Sequence, residues 1–83
     1  MKYEIKVTKR FEKDFRRLTK EVKVRIDFAI RRLQENPYMG KFLHGDLKGK
    51  RSLRIGNYRV IYAVDEESKT IALIAAGHRR GVY

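Results

Sequence analysis

The chain opens on alternation: Tyr3, Ile5 and Val7 fall between Lys2, Glu4, Lys6 and Thr8, and a period of two gives a strand with one apolar and one wet face. From Thr8 the period lengthens. Phe11, Phe15 and Leu18 share one side of a helix while Lys9, Arg10, Lys13, Arg16 and Arg17 take the other, with Thr8 placed to cap it. Thr19 is a second N-cap, followed by an apolar stripe of Val22, Ile26, Ala29, Ile30 and Leu33 that ends before Asn36-Pro37. Together these predict a helical hairpin that covers one face of a sheet.

Residues 37–47 read as a loop carrying Gly40, Gly45 and His44. Period-two runs return at residues 50–55, 58–64 and 70–76, joined by Gly56-Asn57 and by the polar turn at residues 65–69. The order β-α-α-β-β-β predicts an α+β domain, with two helices packed on one face of a small, mainly antiparallel four-stranded sheet. Residues 1–83 make a single domain, because a chain this short cannot bury two cores. Periodicity leaves the first strand at either an edge or the centre; a parallel pairing would need the right-handed crossover that the helical hairpin can supply.

Gly56-Asn57 between two strands reads as a two-residue hairpin turn. Its register sets Ile55 opposite Tyr58, Arg54 opposite Arg59 and Leu53 opposite Val60. Leu53, Ile55, Tyr58, Val60, Tyr62 and Val64 then face the helices, and Lys50, Ser52, Arg54, Arg59, Ile61 and Ala63 share the other side. Two arginines directly opposite each other repel unless an anion lies between them. Three cations on a face with no carboxylate in the hairpin therefore mark an anion site, and the planar fork of arginine suits phosphate. Carrying the register through the four-residue turn at residues 66–69 pairs Val64 with Ile71 and Arg59 with Ala76. Strict alternation would then place His78 on the basic face and Arg79 off it, with Gly77 able to break the pattern.

Composition strengthens the anion reading. The 83 residues hold 21 Lys plus Arg against 10 Asp plus Glu, a formal charge of +11, which points to a polyanionic partner, nucleic acid foremost. The chain has no cysteine, so disulfides, thiolate metal sites and thiol nucleophiles are excluded and a reducing cytoplasm is permitted. Its longest apolar run, around residues 71–77, is too short to span a bilayer, and the N-terminus has no signal-peptide core. The tail Gly77-His78-Arg79-Arg80-Gly81-Val82-Tyr83 joins arginine to a terminal aromatic, a pairing that clamps and stacks unpaired nucleotides. His78 lies beside the basic face as an acid–base candidate, whereas His44 reads as a surface histidine. Two histidines without clustered acids do not make a metal site.

The run Asn57-Tyr58-Arg59-Val60-Ile61-Tyr62, followed by Gly77-His78-Arg79-Arg80 and Val82-Tyr83, resembles the RelE/ParE superfamily of toxins from type II toxin–antitoxin systems, more closely its RelE branch. The resemblance spans nearly the whole chain. It implies a metal-independent, cofactor-free endoribonuclease of the cytoplasm that cuts mRNA in the ribosomal A site by 2′-hydroxyl attack. A small acidic antitoxin would restrain it. Arg59 matches the arginine at the scissile phosphate, Arg79 the tail arginine that stabilises charge or protonates the leaving group, and Tyr83 the tyrosine that stacks on the nucleotide. Lys50 matches the first of two lysines credited with base and phosphate roles; the second falls on Ser52, with Lys48, Arg51 and His78 as candidates to compensate. Arg54 matches a further basic position, and Arg80 joins Arg54, Arg51, Lys48 and His78 among the RNA-binding candidates. The alternatives are a ParE-like inhibitor of DNA gyrase and a catalytically weak RNA-binding module.

Overall fold

The computed structural model describes residues 2–81. Strand β1 (Glu4–Val7) leads into helices α1 (Lys9–Arg16) and α2 (Lys20–Glu35), followed by β2 (Lys41–Phe42), a 3₁₀ turn at Gly45–Leu47, β3 (Arg51–Ile55), β4 (Tyr58–Asp65) and β5 (Thr70–His78). Both helices start where expected. The Thr8 hydroxyl accepts from the Phe11 N–H and the Thr19 hydroxyl from the Val22 N–H, each satisfying a donor that the first turn leaves open.

The sheet has five strands in the order β1-β5-β4-β3-β2, one more than the periodicity predicts. The added strand is the two-residue β2, which pairs Lys41 with Ser52 and Phe42 with Arg51; two residues are too few to carry a period. Strand β1 takes the edge, parallel to β5, so the helical hairpin is its crossover. The β3–β4 register is as expected, with Leu53 opposite Val60, Arg54 opposite Arg59 and Ile55 opposite Tyr58. Gly56 alone in that turn takes positive φ, 61°, the pattern of a type II′ turn with glycine first.

The β4–β5 ladder departs from the expected register. Val64 does pair with Ile71, but Arg59 pairs with Gly77 instead of Ala76, because the register slips between Ile61 and Tyr62 and leaves Ile74 as an extra residue in β5. Alternation inverts past such a bulge. His78 consequently stands opposite Tyr58, their rings edge-to-face at 5.7 Å, on the helix-facing side. Helix α1 holds the bulged strand where β1 ends. The Thr8 hydroxyl donates to the carbonyls of Leu73 and Ile74, at 2.8 and 3.1 Å, and Asp14 Oδ2 accepts from the Ala76 N–H at 3.0 Å.

The main core lies between the helices and the sheet, with Phe11, Ile26, Leu33, Val60, Tyr62, Ile71 and Leu73 buried in one cluster. Tyr62 has no exposed surface. Its hydroxyl donates to the Pro37 carbonyl at 2.7 Å and accepts from the Gly40 N–H at 2.9 Å. Glycine is required at position 40 by this approach, since a Cβ there would lie 2.6 Å from the Tyr62 hydroxyl. At the other end of the sheet, Glu66 accepts from the Tyr3 hydroxyl and from Lys69 Nζ, both at 2.8 Å, tying the chain start to the β4–β5 turn.

Replacing Tyr62 by Phe should cost about 1–3 kcal/mol in urea denaturation, because it leaves a buried carbonyl and N–H without their partner. A second expectation concerns pH. The Lys69 ammonium, then the Tyr3 hydroxyl, hold the Glu66 carboxyl below the ordinary value of 4.5, so this group adds stability above pH 4.5 and loses it as pH falls through its lower folded value. In acid titrations followed by circular dichroism, wild type and Glu66→Gln should differ at neutral pH and converge below that window.

Candidate nucleic-acid interface

The face away from the helices is built by the parity of β3, β4 and β5. At its hairpin end Arg54 and Arg59 sit opposite each other, and Arg59 is also opposite Gly77. Arg54 Nε donates to the Gly56 carbonyl at 2.9 Å, which turns its guanidinium towards the hairpin tip. Arg59 is half-buried, with its Nε closed off from solvent. The Arg79 N–H donates to the Asn57 carbonyl at 2.8 Å, extending the ladder one step beyond His78. The bulge therefore returns Arg79, not His78, to the parity of Arg54 and Arg59. The hairpin turn thus positions two of the three arginines through its own carbonyls.

By register Arg54, Arg59 and Arg79 stand at the hairpin end, with the Arg54 head drawn to the turn. Lys50 shares their parity but lies four residues from Arg54, about 13 Å along a strand. It can meet them only across a ligand that lies over the ground between. That ground is small and apolar. Ile61 and Ala75 are buried there with Leu43 and Ile74 packed against them, because the Leu43 N–H bonds the Lys50 carbonyl at 2.9 Å and draws the loop onto the sheet. Ser52, opposite Ile61, is buried in the same stretch.

Other sequence candidates are placed elsewhere. Arg51 pairs with Tyr62 on the helix-facing side. Its Nη1 donates to the Gly40 carbonyl at 2.9 Å, and its guanidinium lies 4.9 Å from the Tyr38 ring and 5.3 Å from that of Phe42, a structural sandwich rather than a free cation. Lys48 is exposed after the 3₁₀ turn. Arg80 is exposed beyond β5, its N–H donating to His78 Nδ1 at 3.3 Å, and Tyr83 lies outside the described residues. His44 is exposed, its ring edge-on to Phe42 at 5.7 Å. Among the described residues no group of three or more His, Cys, Asp or Glu side chains gathers as a metal site would need.

The sequence reading missed Asp14, which secures the strand leading to Arg79. Its signal was an acid at the spacing of Phe11 and Leu18, on the apolar side of α1, where a carboxylate needs a partner.

This fold is that of a toxin. The ParE toxin family of type II toxin–antitoxin systems matches residues 5–83, and the chain belongs to the RelE/ParE toxin superfamily. Within it the chain is of the RelE type. It is 32% identical to Toxin RelE of Mycobacterium tuberculosis over 98% of this chain and 86% of that protein. Toxin RelG of the same organism is 31% identical, over 100% and 98%. The toxin–antitoxin complex RelBE2 of Mycobacterium tuberculosis superposes with a TM-score of 0.87 at 30% identity, covering 95% of this chain and all of the matched one.

An anion held at the Arg54/Arg59 end of the sheet should stabilise the fold, because it binds the folded protein and not the unfolded chain. With pyrophosphate at a hundredfold excess over its dissociation constant, the gain should be about 2.7 kcal/mol, read as a rise in Tm. Arg54→Gln/Arg59→Gln should lose most of that rise.

Proposed function

We propose that this toxin is a ribosome-dependent endoribonuclease that cleaves mRNA in the A site and so inhibits translation in the cytoplasm. The observation that carries it is that the register places Arg54, Arg59 and Arg79 at one end of a sheet face whose β4 carboxylate, Asp65, stands at the other end, in a chain similar to Toxin RelE. In the reaction the 2′-oxygen attacks the adjacent phosphorus and the bond to the 5′-oxygen breaks, leaving a cyclic phosphate and a 5′-hydroxyl. Negative charge builds on the phosphoryl oxygens and the departing oxygen, where fixed guanidinium groups stabilise the transition state more than the ground state.

Arg59, half-buried at the centre of the cluster, takes the phosphoryl oxygens, and Arg79 takes the leaving oxygen. Tyr83 stacks on the attacked nucleotide. Lys50 approaches from the far end of the substrate, where it serves the 2′-hydroxyl or the neighbouring phosphate. With serine at position 52, the site has one lysine on β3's approach where the family has two. The reaction accordingly depends on the ribosome to hold the 2′-oxygen in line, an orientation effect of large magnitude. The matched RelBE2 toxin is held in a complex with its antitoxin. For this chain, with its charge of +11, the corresponding partner is a small acidic antitoxin.

Primer extension on ribosome-bound message should show cuts that fall about a hundredfold to a thousandfold in Arg59→Ala and Arg79→Ala, with both variants folded by circular dichroism. Undiminished cleavage by those variants would overturn the assignment, as would inhibition of gyrase supercoiling by a wild-type protein that leaves translation intact.

A further inference from the structure

On the helix side of the hairpin a second groove, of about 470 Å³, runs between α2 and β3. Met39, Leu53 and Ile55 line it, and α2 contributes Arg25, Phe28 and Arg32. These three helix residues fall at i, i+3 and i+7, one face of α2. Phe28 is 66% exposed, with a guanidinium one turn away on either side. Arg25 reaches across to the hairpin: a Cβ built on Gly56 would lie 2.6 Å from its Nη. Arg54 lines the same groove, although its register belongs to the other face, because its Nε is drawn to the Gly56 carbonyl.

Charge separates this side of α2 from its neighbour. Arg31 is paired with Asp27 at 3.1 Å. Among the described residues, Arg25, Arg32 and Arg54 have no carboxylate within salt-bridge distance. Cations gathered without acids, around an exposed ring and an apolar floor, suit a ligand that carries repeated phosphates and unpaired bases. They also form a continuous path. Arg59 and Arg79 lie on the sheet face, Arg54 bends over the tip, and Arg25 and Arg32 continue beyond it.

We propose that an RNA strand engaged at the sheet-face arginines continues over the Gly56-Asn57 tip into this groove, where Arg25 and Arg32 take its phosphates and Phe28 stacks on a base. The inference rests on the proposed action on RNA and extends its binding surface to the helix layer. RNA is favoured over an acidic peptide because the cations run unbroken from the reaction site, the layout that a phosphate backbone follows. Phe28 stands out on the rim and leaves the floor unroofed.

The test uses the full chain with 2′-O-methyl oligoribonucleotides, which bind but lack the attacking hydroxyl. Fluorescence anisotropy over a range of salt concentrations compares a strand of about 4 nucleotides, enough for the sheet face, with one of about 12 that can round the tip. For the longer strand, Arg25→Gln/Arg32→Gln should reduce the slope of log K against log salt by about 1.4, some 0.7 per lost phosphate contact. Phe28→Ala should weaken binding with the slope unchanged. Affinity for the shorter strand should be the same in wild type and variants, which also shows that the variants fold. An unchanged slope for the longer strand in a wild type that cleaves message overturns this inference alone. A slope that holds while the variant loses affinity for an acidic amphipathic peptide assigns the groove to a protein partner and also overturns it. A wild type that neither binds the oligonucleotides nor cleaves overturns both this inference and the function.

Discussion

A hydroxyl group inside the core sets the terms for much of this structure. Tyr62 is the largest fully buried side chain, and its oxygen must find partners there because an unsatisfied polar atom in that position costs as much as a good hydrogen bond contributes. It finds them in Pro37 and Gly40, so the loop after α2 is drawn onto the sheet at a fixed point. From that point the chain enters β2, and the Gly40 carbonyl becomes the acceptor for Arg51. The same loop then lays Leu43 over Ile61 and Ala75. The floor of the candidate site is thus a consequence of how one tyrosine is satisfied on the opposite side of the sheet.

The distribution of charge has a similar logic. Ion pairs join Arg10 to Asp14, Arg16 to Glu12, Arg31 to Asp27 and Lys69 to Glu66, all within helices or in the β4–β5 turn. Exposed pairs of this kind contribute little to stability individually, but they occupy four of the ten acids, Glu12, Asp14, Asp27 and Glu66. In the β3–β4 hairpin the one acid, Asp65, stands at the end of β4 away from Arg54 and Arg59.

Much of this was legible in the residues because short-range rules governed it. Thr8 and Thr19 cap helices, Gly56-Asn57 closes a hairpin, and the period of two then dictates that Arg54 meets Arg59. The rest depended on contacts distant in sequence. No local pattern reveals a two-residue strand such as β2, and Arg51 reads like any basic neighbour of Arg54 until Tyr38, Phe42 and Gly40 surround it. Ile74 sits in an apolar run, residues 71–76, with nothing to mark it as the residue that falls out of the ladder. The arginine cluster was readable in part for the same reason: Arg54 and Arg59 belong to one hairpin, whereas Arg79 reaches them only through the shifted register of β5.

That extra residue gives β5 a phase, much as a coding sequence has a reading frame. Upstream of Ile74 the strand is in one phase, set by β1 and the core; downstream it is in the other, set by the hairpin, and Thr8 and Asp14 secure the junction. Insertion or deletion of a single residue near the junction would exchange the chemistry of the two faces, sending the imidazole of His78 to the phosphate side and the guanidinium of Arg79 towards the helices. The length of this strand is therefore under a constraint as strict as the identity of its arginine, and a tail with every functional residue intact could still be silent through a frameshift in space.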